Sequence, residues 1–393
     1  MSEGIAKHGI FDPDTIRAIQ AALPAEGALD SQRKAGYYMV PEGKRLTEYE
    51  QLCGYAIHTI DAMSGTEIGD YQQKHAGGRG AYSPEGTELK SSDWFLFRDP
   101  DKRWFFPYVK NKAEEGGYTK RYLEGYSASG EIRNVAPEWL NVIDRLYGGL
   151  VFMEYGLFGA HSAATKDCPA DFLKIWISMA GFDKNDAAQM VQNQRVFINK
   201  ILPSFPADLT DAKDAWLTDP VYARARKTVE DLWQDTYDWA ESIWSVHGVF
   251  DPIFGQFVRR EFFSKIAARY GDNLTPWILS QSLTYFETAK KGTVKLMTNI
   301  LPSDENVGEH NKRVITAWTE KWLPETIKSL KGFMGAYAQL PYPIEGVTDI
   351  DSVTASVRRV IADWKEDYAD PLGIAVDIEA LVSDVMSGYQ EVK

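Results

Sequence analysis

Cysteine is nearly absent: Cys53 and Cys168 stand far apart, with no further Cys or His at metal-ligand spacing. That excludes zinc ribbons and disulfide frameworks. Long apolar runs are missing too. The most apolar stretch, Leu150 to Ala160, is short and broken by Glu154, well under the length a membrane-spanning helix needs. The opening residues, MSEGIAKHGIFDPDTIR, hold no apolar leader-like segment, so the chain is expected in the cytoplasm. Positive charge is the third scarcity, with 43 Lys and Arg against 56 Asp and Glu and a formal charge of -13. A surface of that sign repels phosphate backbones and anionic lipid heads, which excludes nucleic acid and membrane as partners.

The familiar catalytic patterns are also missing. No Gly-x-Ser-x-Gly elbow occurs, and His8, His58, His75, His247 and His310 have no evident nucleophile beside them in sequence. The glycines of HAGGRGAYSPEG are not followed by Gly-Lys-Ser/Thr, so they read as a loop rather than a phosphate cradle. Asp363, Asp367 and Asp370 share a helix face in DWKEDYAD but lack the paired-aspartate motif of magnesium-dependent prenyl-diphosphate enzymes. They read as an exposed acidic face beside Lys365.

What the chain does have is aromatic surface and helical periodicity. Pro137 suits a first helical position, where its missing N–H costs nothing, and Ile143, Leu146, Tyr147, Leu150, Leu157 and Phe158 follow at three-and-four spacing. Leu279, Leu283, Phe286, Met297 and Ile300 repeat that pattern behind Thr275 as an expected N-cap and Pro276. Further helices are expected at roughly 170–200, 222–248, 250–270, 308–338, 350–369 and 374–390. The fold class is therefore all-α. Residues 1–130 read differently, as an extended N-terminal arm with short helices, because Gly and Pro punctuate them. Their aromatics, among them Trp94, Phe95, Phe97, Trp104, Phe105, Phe106 and Tyr108, keep no helical period. Irregular chain so rich in aromatics must be covered, either by the helical core or by a partner. A helical core over 131–345 and C-terminal helices over 346–393 complete the expected organisation.

Glu154 and His161, seven residues apart, fall on one helix face with Leu150, Leu157 and Phe158. The expected reading is a buried, hydrogen-bonded polar pair. Helical di-iron proteins instead use Glu-x-x-His pairs, in which one turn offers two ligands. None occurs here: Leu157 follows Glu154 at that spacing and Ser264 follows Glu261. No residue of this chain is thus assigned as catalytic, cofactor-binding or metal-binding. A rival reading, a self-sufficient helical metalloenzyme, would have to recruit Glu154 and His161 with Glu230 or Glu241. A free-standing helical scaffold is the third.

RLTEYEQL (45–52), TELKSSDWFLFRDPDKRW (87–104), PYVKNKAEE (107–115), YGLFGAHS (155–162), FGQFVRREFF (254–263) and YGDNLTP (270–276) together resemble one family. They look like the hydroxylase β subunit of soluble di-iron methane and butane monooxygenases, in order from about residue 10 to the C-terminus. The resemblance implies a ferritin-like helical bundle without iron ligands, acting as a structural subunit of an alkane hydroxylase. It also implies paired α, β and γ chains with the di-iron centre in α, a regulatory protein, and a reductase carrying FAD and an iron–sulfur cluster and drawing on NADH. Ile68 and Tyr71 stand where methane-oxidising members are tryptophan-rich, and Gly80 where they have proline. A short-chain alkane such as butane therefore fits at least as well as methane.

Overall fold

The computed structural model describes residues 42–43, 47–54, 86–168 and 170–390. Ile68, Tyr71, Gly80, the loop glycines before Gly86, and His8, His58 and His75 lie outside them. Among the described residues there is no strand, and no helix is long and apolar enough to cross a membrane.

Four long helices form the centre: α3 (residues 137–167), α4 (Asp171–Ile201), α7 (residues 239–270) and α8 (residues 274–300). Around them lie α5 (Thr210–Thr218), α6 (residues 220–235), α9 (Gly308–Phe333), α10 (residues 350–372) and α11 (Ile378–Gln390). Before them come α1 (Glu48–Gly54) and α2 (Phe105–Ser129). One apolar core runs through all the central helices and takes in Val353, Val357 and Trp364 of α10 and Val385 of α11. The architecture is a ferritin-like bundle.

Pro137 opens α3 as the sequence predicts, and Ile143, Leu146, Tyr147, Leu150 and Leu157 are buried. Two boundaries differ from expectation. Asp272, not Thr275, caps α8: its carboxylate accepts from the N–H groups of Leu274 and Thr275 at 3.0 Å each. The Thr275 hydroxyl instead accepts from Gln194 at 2.7 Å. The break expected near residue 249 falls at 236–238, where Asp238 caps the N-terminus of α7. From there α7 runs straight past Pro252, because its backbone widens to i→i+5 bonding over Ser245–Gly255 and Phe257–Ser264. Such wide turns tolerate a residue without an N–H in mid-helix.

The arm is the largest departure. Residues 86–104 do cross the bundle as irregular chain, held by side-chain acceptors such as Asp238 for Glu88 N–H and Asn311 for Lys90 N–H, and 105–129 forms a 25-residue helix. Periodicity misses α2 because it has almost no buried stripe: Tyr126 alone is fully buried. The core covers some of the arm's aromatics, with Trp94 against Trp239 and Phe97 against Trp176 at centroid distances of 5.7 and 5.2 Å. Leu96, Phe105, Phe106, Val109 and Tyr118 stay exposed.

Candidate functional site: a buried ring of charges

Three of the four central helices bring charged groups to the middle of the bundle. α3 supplies Glu154, α4 Lys184, and α7 supplies Asp251 and Arg259, all buried. Asp251 and Arg259 are eight residues apart, two turns along one face, with Gly255 between them. A Cβ on Gly255 would lie 2.1 Å from Asp251 Oδ1 and 2.7 Å from Arg259 Nη2. Only a residue without a side chain lets that ion pair lie flat on its own helix.

The four charges close a ring. Arg259 Nη1 donates to Glu154 Oε1 at 2.5 Å and Nη2 to Asp251 Oδ1 at 2.6 Å. On the other side Lys184 Nζ lies 2.8 Å from Asp251 Oδ2 and 3.1 Å from Glu154 Oε2. The second of those contacts lacks hydrogen-bond geometry. Burial by itself would push the Asp251 carboxyl up, but Arg259 and Lys184 override it and hold it well below the usual carboxylate range. Burial likewise opposes charge on Arg259, yet Asp251 and Glu154 raise its pKa above the ordinary value. Two anions and two cations therefore balance without solvent.

Glu154 and His161 do not pair with each other. Glu154 belongs to the ring, whereas His161 meets His247 Nε2 to Nε2 at 2.6 Å and has the Leu157 carbonyl on its other nitrogen. Both residues are buried and bonded as expected, but the wide α7 turn carries partners to each that helix spacing within α3 does not reveal. Glu230 and Glu241, needed by the metalloenzyme rival, are elsewhere: Glu230 pairs with Arg226, and Glu241 with Lys321 and Trp322. Asp363, Asp367 and Asp370 pair with Arg260, Lys290 and Lys365. No group of three or more His, Cys, Asp or Glu among the described residues is arranged to hold a metal ion. The donor set explains why, since every oxygen of the two central carboxylates faces Lys184 or Arg259.

Sequence reasoning passed over Lys184, Asp251 and Arg259. Lys184 carries no local signal, because a lysine on an amphipathic helix reads as surface. A signal for the other two was present: Asp251 and Arg259 interrupt the apolar run VFDPIFGQFVRREFF, and charges so embedded need buried partners.

A second polar cluster joins α2 to the bundle. Asp183 receives Arg103 at 2.8 Å, Lys112 at 3.0 Å and the Tyr108 hydroxyl at 2.9 Å. Asp186 receives Lys112 at 3.3 Å and the Tyr285 hydroxyl at 2.5 Å. These ion pairs add to the apolar contacts at the C-terminal half of the helix, where Tyr122 stacks on Trp277 and Tyr126 is buried in the core.

Residues 72–304 match the family model described as Methane/Phenol/Alkene Hydroxylase. The methane monooxygenase component A beta chain of Methylococcus capsulatus is 46% identical over 389 residues, covering 98% of this chain and 99% of the relative. Its counterpart in Methylosinus trichosporium is 41% identical over 394 residues, covering 99% and 98%. The propane 2-monooxygenase hydroxylase small subunit of Rhodococcus jostii is 25% identical over 345 residues, covering 86% and 91%. Among solved structures, the phenol hydroxylase of Pseudomonas sp. OX1 superposes with a TM-score of 0.69 at 17% identity, over 86% of this chain and 94% of that one, a likeness of fold. A four-helix bundle with charges at its centre, a family match across most of that bundle, and full-length relatives that are β chains lead to one conclusion: the chain belongs to the methane/phenol/alkene hydroxylase family, as a hydroxylase β chain.

Proposed function

We propose that this chain is the non-catalytic structural β subunit of a soluble, NADH-dependent di-iron monooxygenase that converts short-chain alkanes, of the methane or butane type, to alcohols with O2. The ring of Glu154, Arg259, Asp251 and Lys184 carries the reading. Iron needs free carboxylate and imidazole lone pairs on facing helices, and here the carboxylates serve two buried cations instead. The reacting centre then belongs to the partner α subunit, whose di-iron site supplies oxygen activation. FAD, the iron–sulfur cluster and NADH belong to the reductase.

This chain's own residues contribute shape and attachment. The ring and the core keep the bundle rigid, while residues 1–130 reach the other hydroxylase chains. The exposed Leu96, Phe105, Phe106, Val109 and Tyr118 are the kind of anchors an interface buries. A paired assembly of α, β and γ chains, served by a regulatory protein in the cytoplasm, completes the proposal. The test is to purify the full-length chain alone and with its co-expressed partners, then measure iron and alkane turnover. Iron and turnover confined to the assembly support the reading; tightly held stoichiometric iron in the isolated chain refutes it.

A further inference from the structure

The central ring has the connectivity of a two-metal carboxylate centre. Glu154 presents Oε1 to Arg259 and Oε2 to Lys184, while Asp251 presents Oδ1 to Arg259 and Oδ2 to Lys184. Each carboxylate therefore bridges the same two cations, and the carboxylates come from two different helices. An ammonium is a compact point charge and a guanidinium a planar fork, so the first suits a position between two single oxygens and the second a pair of oxygens held side by side. Here the single Lys184 nitrogen meets one oxygen of each carboxylate, and the two terminal nitrogens of Arg259 meet the other oxygen of each.

We propose that Lys184 and Arg259 occupy the two cation positions of a carboxylate-bridged two-cation centre and thereby keep divalent metal ions out of this bundle. The proposal rests on the reading of the chain as the iron-free hydroxylase subunit and gives that state a mechanism. A metal ion arriving at the ring meets two carboxylates that are already ion-paired and faces two fixed positive charges at close range, where the surrounding medium screens poorly. Covalently tethered cations cannot dissociate, so no chelation or ion exchange empties the site.

A buried polar atom without a partner lines the small cavity at the ring. His247 lies one turn before Asp251 on the same face of α7, and its buried Nδ1 has no hydrogen-bond partner. With the Lys184 ammonium gone, Glu154 Oε2 and Asp251 Oδ2 lose the cation they share and line, with His247, that one small cavity, side chains of the kind first-row divalent ions take once they close on the ion. Lysine 184 is then the gate. Its removal does more than weaken an ion pair: it converts a closed ring into a site.

Cobalt(II) is the probe, because its visible absorption reports coordination independently of stability. Full-length wild type, Lys184→Ala and Lys184→Ala/Asp251→Asn are each refolded from denaturant with and without cobalt(II). Wild type is expected to show no cobalt-dependent melting and no visible band. Lys184→Ala is expected to bind about one cobalt per chain, to show the band, and to melt closer to wild type with the ion than without it, since a ligand bound only by the native state stabilises that state. The double variant, one bridging carboxylate short, loses both responses. A Lys184→Ala chain that folds only with cobalt supports the proposal equally. One that gains neither band nor stability overturns it, whether it folds or not, and leaves the β-subunit reading intact. Iron held by wild type overturns both.

Discussion

His161 and His247 face each other across α3 and α7, Nε2 to Nε2 at 2.6 Å. His161 Nδ1 lies 2.7 Å from the Leu157 carbonyl and must donate to it, which leaves its Nε2 as acceptor and makes His247 Nε2 the donor. That assignment follows from the bonding network and requires the His161 ring to be neutral, while a neutral His247 follows from its burial. Burial enforces this, pushing His161 down to about 4 and His247 well below the ordinary histidine range.

Stability should consequently fall with acid in a defined window. An unfolded histidine takes up a proton below about 6.5, whereas folded His161 does not until about pH 4 and folded His247 is likewise held well below the ordinary range. The unfolded state therefore binds more protons across that interval, and stability falls as pH drops through it. For His161 alone the loss is on the order of 3 kcal/mol. Melting curves of wild type and His161→Phe/His247→Leu between pH 7.5 and pH 4.5 check this, with the double variant expected to be flatter. Parallel profiles would show that the pair does not titrate this way. Asp251 adds a separate loss only as pH falls below the usual carboxylate range, about 3.9, because its folded pKa is depressed.

Breaking the ring on one side should be costly. Glu154→Ala leaves Arg259 and Lys184 short of a counter-charge in a dry core, a change worth about 3–5 kcal/mol. Glu154→Leu combined with Arg259→Met removes one charge of each sign, leaves Lys184 with Asp251, and should recover much of the loss. Urea denaturation of the three proteins measures it. A single variant as stable as wild type would remove the ring from any structural role.

Two glycines should respond oppositely to alanine. A Cβ on Gly292 of α8 would lie 2.2 Å from Trp176 Nε1, where α8 crosses α4, and the indole has no room to retreat in a filled core. Gly292→Ala is expected to cost about 1–3 kcal/mol. Gly116 on α2 has nothing within 4 Å, so Gly116→Ala should stabilise the isolated chain by roughly 0.5–1 kcal/mol through helix propensity. Chemical denaturation of both variants checks the pair, and a destabilised Gly116→Ala would contradict the placement of α2.

Assembly should depend on the outer face of α2. Phe106 is exposed, so Phe106→Ala should leave the melting temperature of the chain alone unchanged while weakening association with the partner chains by about 2 kcal/mol or more, if that ring is an interface anchor. Trp104 behaves differently, because it is half-buried against Tyr49, Cys53 and Phe172. Trp104→Ala should lower stability as well. Size-exclusion chromatography with the partner chains separates these effects; unaltered association of Phe106→Ala would clear this face of a role.

Local chemistry alone settled a good deal. Pro137 starts α3 where its missing N–H is harmless, the three-and-four stripe from Ile143 to Leu157 marks the buried face, and the lack of any Glu-x-x-His removes the ligand pairs a di-iron bundle needs. Such features repeat within a turn or two, so they are legible in one dimension. The meeting of Glu154 with Arg259, 105 residues away, and of Lys184 with Asp251, 67 residues away, is not. Helix periodicity states which way a side chain points but not what stands opposite, and the partner follows from how α3, α4 and α7 cross. The same limit hid α2, whose 25 residues bury too little apolar surface to leave a stripe and are seated in part by Asp183 and Asp186 of another helix.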